Sequence, residues 1–365
     1  MIYLADRIFD GYEWRNEALW TEAGTVTAFV PPDALPEGVP VRRLNGAIVP
    51  AFLDLQVYGA GGRLFAAYPD VESLRVLEAE CRRGGAALAL PTVATNTPDV
   101  VRDCLHAFRA YKEAGGSFLP GLHLEGPWIH PKRRGAHIEA CIHPPTLDEV
   151  TSLLSEGRGL IRMITLAPER CDRALIHLLL QEGIVLSAGH SDATFEEASA
   201  AFDGGIGAVT HLYNAMSPLQ HRAPGLVGAA FLHPSVRASI IPDGLHVSWE
   251  AVRIAKKQMG ERLFAITDAV TETGIGAYPH TLNVDHYTSG GTLSGSALTM
   301  HAAFFNLVHR AGIAPEEALR MCGRYPAEVL GVGQERGVLA PGSRADLLLL
   351  DETWNLVEVL SPDAV

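Results

Sequence analysis

Apolar residues recur along this chain in two alternating textures. Short runs at residues 48–55, 87–93, 118–125, 161–166, 184–188, 208–211, 238–241 and 264–267 are rich in apolar residues and read as strands. Between most of them, apolar positions recur three and four apart. This predicts helices over 71–83, 97–113, 146–156, 172–182, 194–202 and 249–259, with two more near 297–311 and 315–325. Alternating units of this kind favour a parallel sheet. Eight of them fit an α/β fold, a (β/α)8 TIM-like barrel over residues 49–336, whose chemistry would sit at the C-terminal ends of the strands.

The two ends of the chain have a different texture. Residues 1–48 hold short strand-like runs at 2–4, 18–22 and 26–30, then a Pro-rich link, and no long amphipathic pattern. After a turn at 337–342, apolar runs at 345–351 and 355–359 look similar. Residues 1–48 and 337–365 are therefore expected to pair into one small β domain, a β-sandwich, with the barrel inserted between them.

Composition narrows the function classes. A chain of 365 residues, 47% hydrophobic with 36 Gly and 23 Pro, is globular and rich in turns. Its net charge of −13 argues against a nucleic-acid backbone as partner. A small anionic ligand stays possible, because one local Arg can hold a phosphate. No apolar run approaches the roughly 20 residues that span a bilayer, and residues 1–7 lack the order of a signal peptide. The five cysteines are scattered, with no pair at zinc or redox spacing. A cytoplasmic enzyme with reduced cysteines is expected, with neither membrane nor nucleic acid as partner.

Candidate chemistry lies where the strands end. Glu125 closes an apolar run just before Gly126-Pro127 and shares an inward face with His123. His190 follows strand five, His211 strand six, Asp243 and His246 strand seven, and Asp268 strand eight. Singly, His190 or His211 reads as a turn histidine, Asp268 as a helix cap and Asp243-Gly244 as a turn pair. Together they form a set. One Glu with two His is a common three-ligand arrangement for a catalytic divalent ion, and Asp268 is then the carboxylate that takes and returns protons. Such a site accepts zinc, iron or manganese. His123 is expected to support the ligands from behind, and His130, His221 and His301 to be surface or packing residues. The glycines at 59–62 lack a P-loop ending. No Gly-x-Ser-x-Gly elbow is present, which disfavours serine hydrolase chemistry.

Five stretches carry a more specific resemblance: Gly-Leu-His-Leu-Glu-Gly-Pro at 121–127, Ser-Ala-Gly-His-Ser at 187–191, Thr-His-Leu-Tyr-Asn-Ala-Met at 210–216, Asp-Gly-Leu-His at 243–246 and Leu-Ser-Gly-Ser at 293–296. They resemble the amidohydrolase superfamily and, within it, the N-acetylglucosamine-6-phosphate deacetylases, over about residues 50–351. The resemblance implies the barrel with its small β domain, and Glu125, His190 and His211 as metal ligands. It implies Asp268 as catalytic acid and base, and His137 as the group that polarises the acetyl carbonyl. His246 would contact the sugar phosphate. Ala136, Asn214, Ala215, Arg222 and Asp243 would bind substrate, with Leu293, Ser294 and Gly295 lining the site. Arg222 matches an arginine that reaches a neighbouring subunit's phosphate, so a homodimer is implied. Many amidohydrolases carry His-x-His after strand one, where this chain has Gln56 and Tyr58. One divalent ion, zinc first, is therefore expected. The implied activity is removal of the acetyl group of N-acetylglucosamine 6-phosphate. The galactosamine epimer, another amide substrate and a sugar-phosphate binding protein without turnover are the alternatives.

Overall fold

The computed structural model describes residues 1–284 and 286–360. Its centre is an eight-stranded sheet made of β1 (Phe52–Val57), β2 (Ala86–Ala94), β3 (Leu122–Glu125), β4 (Ile161–Leu166), β5 (Val185–Ala188), β6 (Ala208–Val209), β7 (Arg237–Ile240) and β8 (Leu263–Ala265). Each strand pairs in parallel with the next in sequence. The expected barrel is what the chain forms.

Closure between β1 and β8 is made just past the strand ends. Tyr58 N–H donates to Ala269 O (2.9 Å) and Asp268 N–H to Gln56 O (3.0 Å). Below them the buried Asp54 carboxylate accepts from the Thr267 amide (3.1 Å) and hydroxyl (2.5 Å). Side chain and backbone thus pin the seam beside Asp268.

The helices start where short polar side chains cap them. Asp70, Thr97, Thr146, Thr194 and Ser248 each accept a first-turn N–H, and Thr194 forms a reciprocal capping box with Glu197. One helix, Gly225–Leu232, has no counterpart in the sequence reading. Its residues 225–230 are all buried, so it has no polar face and leaves no 3.6-residue signature.

Two further sheets lie outside the barrel. One has the order Thr25–Val30, Ala18–Glu22, Ile2–Leu4, Val41–Arg43. The other runs Leu356–Leu360, Leu347–Leu350, Ala47–Pro50, Arg7–Phe9, Trp14–Arg15, and so joins the two ends of the described chain. Leu347 and Leu349 pack in a small cluster with Ile8, Leu19 and Val26, while Leu348 and Leu350 join the barrel's core. Period-two alternation on a strand buried on both faces welds the two cores together. The run 48–55 that reads as one strand is divided in two. Ala51 N–H turns to Asp346 O (2.9 Å), so Ala47–Pro50 serves the outer sheet and Phe52–Val57 the barrel. Residues 361–365, assigned by sequence to the β domain, lie outside the described residues.

A three-stranded antiparallel sheet, Thr281–Asn283, His286–Ser289 and Thr292–Ser296, was not anticipated either. Ser296 N–H donates to Asp268 O (3.0 Å), which fastens this flap to the barrel's closing seam. Among the described residues no helix is long and apolar enough to cross a membrane.

Candidate metal centre and active-site pocket

Glu125 is the last residue of β3. His190, His211 and Asp268 follow β5, β6 and β8 by two or three residues, all with left-handed backbone (φ 46°, 35° and 53°). Non-glycine residues rarely adopt this conformation, which costs on the order of 1–3 kcal/mol each. Here it turns His190 and His211 towards one point beside Glu125 and brings Asp268 to the wall of the same cavity. Gly295 (φ 139°) lies against the same seam, where a Cβ would stand 2.6 Å from Val270 Cγ1 and 3.0 Å from Asp268 O.

The convergence is close. Glu125 Oε1 lies 3.1 Å from His211 Nε2 and 3.3 Å from His190 Nε2, and the two Nε2 atoms are 3.1 Å apart. Four-coordinate zinc with bonds of about 2.0–2.1 Å sets its ligand atoms about 3.3 Å from one another, so this triangle has the right edge length. Its chemistry fits as well. His190 Nδ1 donates to Arg133 O (2.8 Å), which leaves a bare lone pair on Nε2. Among the described residues, His211 Nδ1 and Asp268 Oδ1 are buried with no hydrogen-bond partner. Three acceptors crowd a space that one proton at most can serve, an arrangement that a divalent cation resolves.

Charge follows from these contacts. Burial alone would raise the Glu125 carboxyl, yet His137 and His190 hold it well below the ordinary range. Burial pushes His190 down to about 4. At His211 burial acts the same way, but Glu125 outweighs it and the imidazole is raised. Asp268 is raised, chiefly by burial and against the pull of His211.

Glu125, His137 and His190 also bring one donor atom each within 4.8 Å of one another. The tautomer of His137 argues against its being a ligand. The Thr95 amide donates to His137 Nδ1 (3.3 Å) while the Thr95 hydroxyl donates to Glu125 O (3.2 Å), so Nδ1 accepts and the proton sits on Nε2, opposite a carboxylate oxygen. His137 therefore points an N–H into the site, currently towards Glu125 Oε2 (3.0 Å). His123 lies beneath the cluster, with Nδ1 on Leu55 O (3.0 Å) and Nε2 on Thr165 Oγ1 (2.8 Å).

These residues border a cavity of about 310 Å³. Ala136, His137, Asn214, Ala215, His246, Leu293, Ser294 and Gly295 line it together with Glu125, His190, His211 and Asp268. Two anticipated contacts are placed elsewhere. Asp243 does not line the cavity; its carboxylate is consumed by His246 Nδ1 (2.5 Å) and by the amides of Leu245 and His246 (2.8 Å each). It fixes His246 instead. Arg222 sits on an exposed loop outside the cavity lining. Sequence reading passed over Thr95, Tyr278 and His280. Tyr278 and His280 stack at 6.5 Å and wall the cavity beside His137, and His280 Nδ1 meets Ser294 Oγ at 2.9 Å. No local pattern marks them, because their partners lie on other loops.

Comparison with known proteins places this geometry. The model of the amidohydrolase family matches residues 47–363. The chain belongs to the amidohydrolase family. It is 31% identical over 355 residues to an N-acetylglucosamine-6-phosphate deacetylase of Haemophilus influenzae, covering 94% of this chain and 93% of that one. It is 32% identical to an N-acetylgalactosamine-6-phosphate deacetylase of Escherichia coli O157:H7, covering 97% and 96%. Among solved structures, a mutant N-acetyl-D-glucosamine-6-phosphate deacetylase of Mycobacterium smegmatis in complex with N-acetyl-D-glucosamine-6-phosphate superposes with a TM-score of 0.90. It is 31% identical, with 99% of this chain and 97% of that one covered. Within the amidohydrolases, these three relatives are named as deacetylases of phosphorylated N-acetyl amino sugars.

Proposed function

We propose that this amidohydrolase removes the acetyl group of N-acetylglucosamine 6-phosphate, giving glucosamine 6-phosphate and acetate. The observation that carries the reading is the convergence of Glu125, His190 and His211 on one point, with Asp268 lining the same cavity. Near-full-length likeness to deacetylases of this substrate supports it.

Glu125 Oε1, His190 Nε2 and His211 Nε2 would hold one divalent ion, zinc in the first instance, with iron or manganese as alternatives. When bound, the ion supplies a Lewis acid that makes water acidic near neutral pH and polarises the carbonyl. The protein's own residues do the rest. Asp268 takes a proton from the attacking water, and its raised affinity for protons suits a base that must then carry one. The His137 Nε2–H donates to the carbonyl oxygen as negative charge develops there. Asp268 passes its proton to the departing nitrogen, which leaves as an amine. His246, set by Asp243, and Asn214 with Ala215 orient the sugar, while Leu293, Ser294 and Gly295 close one side. Arg222, exposed and outside its own cavity, would serve the phosphate of a second copy, so a homodimer belongs to the proposal.

The test is acetate release from N-acetylglucosamine 6-phosphate, its galactosamine epimer and the unphosphorylated sugar, before and after chelation. We expect turnover of a phosphorylated sugar only, abolished by chelation and restored by divalent metal. The 32% identity to a relative named as an N-acetylgalactosamine-6-phosphate deacetylase favours the epimer as the second reading. Absence of turnover in metal-replete protein, with tight sugar-phosphate binding, would instead mark a binding protein.

A further inference from the structure

Gln56 and Tyr58 sit two apart at and just past the end of β1 and therefore share a face. Their donor protons are fully used. Gln56 Nε2 donates to Glu125 Oε1 (2.9 Å) and to the Tyr58 hydroxyl (2.8 Å), and that hydroxyl donates to Glu125 Oε2 (2.5 Å). Oε2 also receives the His137 Nε2–H at 3.0 Å. The two Glu125 oxygens are thus treated unequally. Oε2 takes two strong donors, whereas Oε1 takes one and turns its remaining lone pair to His190 and His211. Tyr58 borders the same cavity as Asp268.

We propose that Gln56 and Tyr58 are positioning residues: they restrict Glu125 to one-oxygen ligation through Oε1, and the Tyr58 hydroxyl occupies the approach to Oε2 that a second cation would need. The inference rests on the metal reading above and deepens it. The site is thereby made for a single ion of low coordination number. A buried carboxylate without these donors would rotate and chelate through both oxygens. It would also offer Oε2, with Asp268 near by, to another divalent ion.

The experiment uses the full chain, stripped and reloaded with zinc or cobalt, as wild type, Tyr58→Phe and Gln56→Met. Zinc affinity and stoichiometry are read by competition with a chromophoric chelator, and ligand geometry by the visible spectrum of the cobalt form. Wild type is expected to take one equivalent and to give the intense d–d bands of a low-coordinate ion. Tyr58→Phe is expected to shift zinc affinity about 10- to 100-fold, the usual range for a residue that orients a ligand. Its cobalt bands should weaken as Glu125 becomes bidentate, and uptake should rise above one equivalent when zinc is in excess. Gln56→Met should move the same readouts in the same direction, which guards against one variant failing to fold. Unchanged affinity, spectrum and stoichiometry in both variants would overturn the inference and leave the metal reading intact. Two tight equivalents in wild type would also overturn it. If wild type takes up no divalent ion, the metal reading falls, and this inference with it.

Discussion

His123 and His211 are both buried imidazoles beside Glu125, yet their surroundings differ. His123, under the mouth of the barrel, has both ring nitrogens hydrogen-bonded, and burial pushes its pKa down to about 4. Its partner Thr165 continues into a closed network, Thr165 Oγ1 to Thr210 Oγ1 at 2.7 Å and Thr210 Oγ1 to Ser187 Oγ at 2.6 Å. At the mouth, His211 Nδ1 and Asp268 Oδ1 are buried with no partner among the described residues, and three acceptors crowd one point. Leaving a buried polar group unpaired costs on the order of 1–3 kcal/mol. The floor avoids that cost and the mouth accepts it. The difference teaches where to look for function: a satisfied buried network reports stability, and buried groups left unpaired at a cavity wall mark a site built for chemistry.

Mutations should separate the two layers. The largest effect is expected at the mouth, where Asp268→Asn should lower kcat by about 10²- to 10⁴-fold, the typical worth of a general acid–base group. Metal content by elemental analysis should stay at the wild-type level. Near-normal kcat in this variant would remove Asp268 from the chemistry.

A smaller effect belongs to the closing seam. Asp54 is buried and its carboxyl is raised to about 6, chiefly by burial and against the hydrogen bonds from Thr267. Between its ordinary value and about 6 the folded state binds more protons at this site than the unfolded state. The slope of stability against pH from this group is therefore negative. Stability falls as pH rises through that window, by at most about 3 kcal/mol. Chemical denaturation from pH 4 to 7 should show this component in wild type and lose it in Asp54→Asn. An identical pH dependence in the two proteins would contradict it.

The smallest effect is expected on the floor. His123→Leu strips partners from Leu55 O and Thr165 Oγ1, and should cost about 1–3 kcal/mol in denaturation. Zinc uptake should remain at the wild-type stoichiometry. Loss of zinc binding with unchanged stability would reverse the contrast between the layers.

Much of the architecture was legible because buried strands and capped amphipathic helices leave local signatures. Thr97, Thr146 and Thr194 mark helix starts that the structure keeps. Gly225–Leu232 was not legible, since a helix without a single polar side chain has no periodicity. The flap at 281–296 was missed because Thr281–Asn283 is exposed throughout and shows no alternation. The apolar run at 48–55 looked continuous because both of its halves are buried, although in different sheets.

The candidate site divides in the same way. By itself the sequence determined which side chains end the strands: Glu125, His190, His211 and Asp268 follow apolar runs, and a parallel barrel collects such positions at one mouth. Only the tertiary structure decided what each does there. Thr95 sets the His137 tautomer across 42 residues, Asp243 is spent on His246 rather than turned to the cavity, and Gln56 with Tyr58 claims Glu125 across nearly 70. Periodicity and capping act over a few residues along the chain. Tautomers, lone-pair directions and unpaired buried atoms depend on groups that meet only when the barrel closes.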